Sequence, residues 1–485
     1  MRWSRRDFLR TLGFGAASAA LAACSSQRSG APPGAPHILL LTADDMSWDS
    51  VGCFRGLAPE NTPHLDALAA GGLRFQRAQV NIAVCQPSRA VMLTGRYPHR
   101  NGVTGFDMPV RSDVATLGEI LSDAGYETAL VGKELHYRPL DKFRWGTVVG
   151  RGQLGAGRDP AAFASSVRDL IRRAGAAGRP FLIHANSHDP HRPFHGSLDE
   201  QHEWEGKPPP YPAPSRAYQP EEVAVPGFLP DLPSIRREVA EYCSSVRRLD
   251  DTVGAVLEVL DQEGVREDTL VVFLSDHGMA FPFAKTNCYL ASVRTPLVLS
   301  WPGRIEPGRV DRDHLVTAVD LMPTLLEVAG LADPGSMRDL DGRSFLPLLE
   351  GRDQPDRDEA VAVFHSTKAD RHYEMRALNR GRWGYIWNPW ADGFTRFYSD
   401  SQVGLTMAEL VRAARRDERI AARVRHFLYR VPEELYDLEA DPDALENRVF
   451  DPAHAAELAA MRQGLHRWMR RYADPLSGLF AERIS

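Results

Sequence analysis

The sequence predicts an α/β protein with a large, mainly parallel sheet sandwiched by helices, followed by a smaller α+β domain. Short apolar runs without polar alternation read as strands buried on both faces. Helical patterns lie between those runs, the order that produces a parallel sheet. Past Gly351-Arg352-Asp353-Gln354-Pro355 the pattern changes to alternating strands and then helices. With 485 residues the chain exceeds one ordinary core. Its expected divisions are an N-terminal leader over 1–23, a tether over 24–36, a large N-terminal domain over 37–355 and a C-terminal subdomain over 356–485.

His37 to Thr42 is the first buried strand and ends at Ala43-Asp44-Asp45. A helix over Thr62 to Ala69 follows, with Thr62 as cap, Pro63 in its first turn and Gly71-Gly72 as its stop. Another helix is expected just after Cys85, with Pro87 in its first turn and Ser88 as a local cap. Helix 117–124 leads into the strand Glu127 to Val131, and Phe181 to Ala185 is a further strand. A long helix over about 235–260 precedes the strand Thr269 to Leu274, and Pro296 to Leu299 is a short strand. The Pro-rich stretch 195–233 has little periodicity and reads as a long loop of the kind that builds binding surfaces. Tyr373 to Trp387 alternates as antiparallel strands do, and helices follow over about 406–427 and 452–472.

Composition is that of a soluble globular protein, 43% hydrophobic and 25% charged. A net charge of −6 gives no sign of nucleic-acid binding, although a local basic pocket can coexist with an acidic total. Ser4-Arg5-Arg6-Asp7-Phe8-Leu9-Arg10 has the pattern of a twin-arginine export signal, and Thr11 to Ala23 is too short to span a bilayer. Leu21-Ala22-Ala23-Cys24 matches a lipobox, so export to the periplasm or cell surface with a lipid on Cys24 is expected, against the alternative of an uncleaved anchor helix. With Cys24 and Cys85 set aside, Cys53, Cys243 and Cys288 are too few for a disulfide framework.

Asp44 and Asp45 stand where a buried strand ends, the place where open α/β sheets bind ligands. Adjacent carboxylates repel unless a cation lies between them. Ser275-Asp276-His277-Gly278 occupies the same position after another strand. Each pair alone also suits an ordinary strand-to-turn junction. His188-Asp189-Pro190-His191 offers two histidines beside an aspartate, but no further ligand is spaced for zinc.

The run Cys85-Gln86-Pro87-Ser88-Arg89-Ala90-Val91-Met92-Leu93-Thr94-Gly95-Arg96 reads C-x-P-S-R-x-x-x-L-T-G-R and resembles the signature of type I sulfatases. A lone buried cysteine is ordinarily packing, a reading the length of this run opposes. The resemblance spans the chain from His37 to Glu434-Leu435-Tyr436-Asp437 and implies an alkaline-phosphatase-like fold with a mixed, mainly parallel sheet. It implies that a maturation enzyme oxidises Cys85 to formylglycine, whose hydrate attacks sulfur. It further implies a calcium ion held by Asp44, Asp45, Asp276, His277 and the modified Cys85; oxygen-rich ligation suits a hard cation. His277 departs from the asparagine many members carry, which leaves room for a different metal.

In the same comparison Arg89 holds the hydrate from one helical turn away, and Lys133 and Lys285 bind sulfate oxygens. His191 protonates the leaving group and His136, in a Lys-x-x-His spacing, is the base that helps expel sulfate. Within the family the chain resembles the heparan N-sulfatase (sulfamidase) branch through His188 to Arg192, Lys285-Thr286-Asn287 and Val225 to Pro230. Iduronate-2-sulfatases are the rival, through Ala83-Val84-Cys85 and His277. The expected substrate is a sulfated saccharide, N-sulfated glucosamine first and a carbohydrate O-sulfate second. The alternatives are a phosphonate or phosphodiester hydrolase, and a lipid-anchored glycan-binding protein with Cys85 unconverted.

Overall fold

A computed structural model describes residues 31–485 except 33, 333–336 and 338. The expected signal, the Cys24 anchor and the tether up to residue 30 lie outside the described residues. Among the described residues no helix is long and apolar enough to cross a membrane.

Eight strands form the large sheet: β1 His37–Asp44, β2 Leu73–Phe75, β3 Glu127–Val131, β4 Thr147–Val149, β5 Phe181–Pro190, β6 Thr269–Ser275, β7 Leu297–Ser300 and β8 Arg309–Asp311. Their spatial order is β4-β3-β5-β1-β6-β7-β2-β8. From β4 to β6 every pairing is parallel; β7 runs antiparallel to both β6 and β2, which makes the sheet mixed. The first strand is central, so Ile38, Leu39 and Leu40 are wholly buried, as its apolar run requires. The helices used below are α1 Pro63–Ala70, α2 Cys85–Thr94, α3 Leu117–Asp123, α4 Pro160–Ala177 and α5 Pro233–Gln262.

A second, antiparallel sheet has the order β12-β11-β10-β9, from β9 Glu359–Ser366, β10 His372–Arg380, β11 Trp383–Trp387 and β12 Glu433–Asp437. Helices α6 Leu405–Ala413, α7 Glu418–Tyr429 and α8 Ala455–Arg471 accompany it, α8 packing on β10 and β11.

Local expectations needed correction where distant groups replace local ones. Thr62 does not cap α1; its hydroxyl accepts the Gly52 N–H at 2.8 Å. Asp250 on α5 caps it instead, accepting the N–H groups of His64 and Leu65 at 3.0 and 2.9 Å. Burial raises the Asp250 carboxyl to about 7. The expected helix after Cys85 begins at Cys85 itself, and Ser88 donates to the Asp276 carbonyl at 2.6 Å rather than capping. The helix expected over 406–427 is two, because Asp417 starts α7 by accepting the N–H groups of Arg419 and Ile420. β5 runs five residues beyond Ala185, through His188 and Asp189. Cys53, Cys85, Cys243 and Cys288 are all unpaired.

Candidate active site

Four adjacent parallel strands, β3, β5, β1 and β6, deliver the site from their carboxyl ends. β1 ends in Asp44-Asp45, β6 runs into Asp276-His277, β5 carries His188 and leads to His191, and β3 leads to Lys133. The long return from β6 to the reversed β7 supplies Lys285. Several turns here take left-handed backbone outside glycine: Asp45 at φ 65°, Lys133 at 58°, Phe283 at 70° and Thr286 at 64°. Such conformations cost energy and persist where the surroundings enforce them, often at functional sites.

α2 brings its first turn, and with it Cys85, onto those strand ends. Cys85 Sγ lies 3.3 Å from His277 Nε2 and 3.8 Å from Asp45 Oδ1. His277 Nδ1 lies 3.0 Å from the Gly278 carbonyl and donates to it, which turns the Nε2 lone pair toward Cys85, Asp45 and Asp276. Burial holds the Cys85 thiol far above the usual range, with Lys285 opposing the rise. The helix N-terminus nevertheless points its free N–H groups at this position, a setting that favours negative charge there.

Asp44, Asp45 and Asp276 are fully buried, with one oxygen of each within 4.8 Å of the others. Asp276 Oδ1 accepts the Asp45 N–H at 3.1 Å. Burial raises the Asp45 carboxyl, against the pull of Lys285 and His277. Asp276 faces the same penalty, but His277, Arg89 and Lys133 outweigh it and hold it below the ordinary carboxylate range. Lys285 Nζ is 2.9 Å from Asp45 Oδ2, and the Lys133 ammonium touches Asp44. Even so, neither Asp44 oxygen receives a well-formed hydrogen bond. This donor set of clustered carboxylate oxygens with one bare imidazole nitrogen fits a divalent cation. An ion there would take over carboxylates now paired with lysines and free both ammonium groups for an anion.

Arg89 is buried beneath this cluster. Nη2 binds Asp276 at 2.9 Å and lies 3.7 Å from Asp44, while Nη1 donates to Thr42 at 3.0 Å and to Asn186. The guanidinium is therefore aimed at the carboxylates, and only Nε lacks a partner. It makes no hydrogen bond to Cys85.

The two histidines after β5 gain a carboxylate that their spacing does not show. His188 Nδ1 is 3.7 Å from Asp44, and His191 Nε2 is 3.8 Å from Asp45. Asp189 takes no part: Arg158 and Arg248 hold it in a buried ion triad, and Arg158 also donates to the His191 carbonyl at 2.8 Å. His191 Nδ1 sits 2.6 Å from the Arg192 carbonyl, which fixes the proton there and leaves Nε2 free. Burial, Lys285 and Lys133 hold the His191 imidazole far below its usual proton affinity.

His136 lies in the turn after Lys133, and its Nδ1 is buried without a hydrogen-bond partner. It packs near Phe106 with ring centroids 6.0 Å apart, and burial together with the charges of Lys133 and Arg89 holds its imidazole far below the usual proton affinity. Sequence reasoning missed Asp400, whose carboxylate comes from the second sheet's side and lies 3.2 Å from Lys285 Nζ. Nothing in Ser399-Asp400-Ser401 marks it, because the contact exists only after both domains fold. It also missed Asn186, which ties Arg89, Thr42 and Tyr137 together.

A family profile described as Sulfatase matches residues 36–331. N-sulphoglucosamine sulphohydrolase from Homo sapiens is 32% identical over 481 residues, covering 93% of each chain. The chain belongs to the sulfatase family. As a sulfatase it is a hydrolase of sulfate esters or sulfamates. Among solved structures, one in complex with its substrate D-glucosamine-2-N,6-O-disulfate superposes with a TM-score of 0.64 at 18% identity, covering 90% of this chain and 98% of that one. A phosphonate monoester hydrolase from Silicibacter pomeroyi gives 0.63 at 20% identity, covering 90% and 96%. Both share the fold. Members of the family use formylglycine and a metal ion, and the clustered acidic groups around Cys85 are of the kind that could hold one.

Proposed function

We propose that this sulfatase removes sulfate from a sulfated carbohydrate, with N-sulfoglucosamine as the favoured unit, using Cys85 converted to formylglycine and calcium in the carboxylate cluster. The observation that carries the reading is the position of Cys85 Sγ against Asp45 and His277, inside a ring of cations and carboxylates. The substrate is supported by the 32% identity to N-sulphoglucosamine sulphohydrolase across nearly the whole chain.

Residue 85 as formylglycine would supply the oxygen nucleophile, and calcium on Asp44, Asp45, Asp276 and His277 would supply positive charge for the sulfate oxygens. The remaining work falls to side chains. Lys133 and Lys285 neutralise the transferring group, a contribution that grows where water is excluded. Arg89 holds Asp276 and Asp44 in place from below. His191 is 30% exposed at the edge of the site and presents Nε2 to the leaving nitrogen or oxygen. An arriving sulfate anion offsets the two lysines and so raises the proton affinity of His191, which acts as the acid. His136, or a neighbour, takes the proton in the second half of the cycle.

A panel of defined substrates tests this. The N-sulfated glucosamine saccharide is expected to show the highest kcat/KM, above O-sulfated saccharides, an aryl sulfate and a phosphodiester. Phosphodiester dominance would replace the assignment with the phosphohydrolase alternative. The reading also has the protein leaving by the twin-arginine route, modified beforehand by a maturation enzyme and then anchored through lipid on Cys24. Cell fractionation should find the wild type with membranes and Cys24→Ser in the soluble exported fraction; equal membrane retention refutes the lipid anchor.

A further inference from the structure

The connection from β11 to α6 reaches the site through Asp400, and the segments beside Asp400 carry unbalanced positive charge. Lys368 and Arg371, from the turn between β9 and β10, and Arg396 are all exposed. The guanidinium carbons of Arg371 and Arg396 lie 4.6 and 4.9 Å from the centroid of the Tyr398 ring, which is itself exposed. Lys368 Nζ is 6.0 Å from the Phe106 ring, the ring that flanks His136.

Among the described residues none of these three cations has a carboxylate partner, and the nearby acids in sequence are engaged elsewhere. Asp370 lies 3.3 Å from His372, and Asp392 accepts the N–H groups of Phe394 and Thr395. Two guanidinium groups sharing one ring repel each other, and an anion between them would relieve that repulsion. Arginine's planar fork matches carboxylate and sulfate geometry.

The placement relates this patch to the reaction. Tyr398 is two residues from Asp400, which pairs with Lys285, and Thr286 meets Ser401 with hydroxyl oxygens 3.4 Å apart. On the other side Lys368 adjoins Phe106, whose ring in turn packs near His136. The three cations thus border the site between Asp400 and His136.

We infer that Lys368, Arg371 and Arg396 form a subsite for a carboxylate or sulfate on the saccharide unit adjoining the one that loses sulfate. The inference rests on the sulfated-carbohydrate reading and extends it from a single sugar to an anionic chain. It requires the site to favour oligosaccharides over the isolated sulfated monosaccharide.

The test is the triple variant Lys368→Ala/Arg371→Ala/Arg396→Ala in the full chain. Its KM for a heparin-derived tetrasaccharide ending in N-sulfoglucosamine should rise about tenfold at unchanged kcat, the combined effect of three exposed charges. Its kinetics on the N-sulfoglucosamine monosaccharide should stay within about twofold of wild type, as expected for charges outside the reacting centre. The wild-type tetrasaccharide KM should also rise more steeply with salt than the variant's. An unchanged tetrasaccharide KM, or an equal loss on both substrates, overturns the subsite. If the wild type turns over neither substrate, the sulfated-carbohydrate reading itself fails. Calorimetric binding of the same tetrasaccharide then decides the subsite separately: weaker binding by the variant supports it, and equal affinity removes it.

Discussion

Replacing Cys85 with alanine is expected to abolish turnover, lowering kcat on the order of 10⁴-fold or more, as removal of a nucleophile does in other enzymes. The fold should survive. Cys85 is 2% exposed and, among the described residues, its Sγ hydrogen-bonds with Asp45 and His277, so the change deletes one buried atom at a cost of about 1 kcal/mol. α2 keeps its start, because alanine suits a first turn and the N–H groups there do not depend on sulfur. Circular dichroism and thermal melting of the variant, beside its activity, separate loss of chemistry from loss of structure. Peptide mass spectrometry of the active wild type supplies the other arm: formylglycine at residue 85 is expected. An intact thiol in a fully active preparation would refute the catalytic account and leave glycan binding without conversion as the alternative.

Removing Arg89 is expected to unsettle the site from beneath. Its guanidinium is fully buried and is the permanent cation against Asp276 and Asp44. Arg89→Ala leaves those carboxylates unbalanced in a dry interior, a change that costs about 3–5 kcal/mol when one partner of a buried ion pair is lost. A bound divalent cation competes for the same negative charge, so the variant should lean on it more than the wild type does. Chelation should therefore lower the thermal midpoint of both proteins and abolish activity, and calcium should restore both properties in the wild type. At calcium about 100 times its Kd, the stabilisation should be near 2.7 kcal/mol. The midpoint of Arg89→Ala should respond more strongly to calcium than the wild-type midpoint. No calcium effect on either protein would remove the metal from the cluster, and a better response to another divalent ion would change its identity.

The parts legible in the sequence are those whose signal is local. The run from His37 to Leu41 is apolar at nearly every position, so it announces a central strand without help from the rest of the chain. Asp44-Asp45 and Asp276-His277 follow such strands directly, and parallel neighbours place their ends side by side. Where a competing partner came from far away, local reading failed. Thr62 has the chemistry of a cap, but Asp250 supplies two oxygens where Thr62 offers one. Ser88 likewise serves Asp276 instead of its own helix. The short strands β2, β4 and β8, three residues each, carry too little pattern to be read.

By itself the sequence determined the family, a helix at the Cys85 motif, and the acidic strand ends, because motif and hydrophobic period are encoded within a few residues. Only the tertiary structure decided which groups meet. It put Asp44 against His188, turned Asp189 away into an ion triad with Arg158 and Arg248, and paired Arg89 with Asp276. It also brought Asp400, from the connection between β11 and α6, onto Lys285. Those choices depend on burial: a charge removed from water must find its partner wherever the packed chain places one, and sequence distance does not enter that requirement.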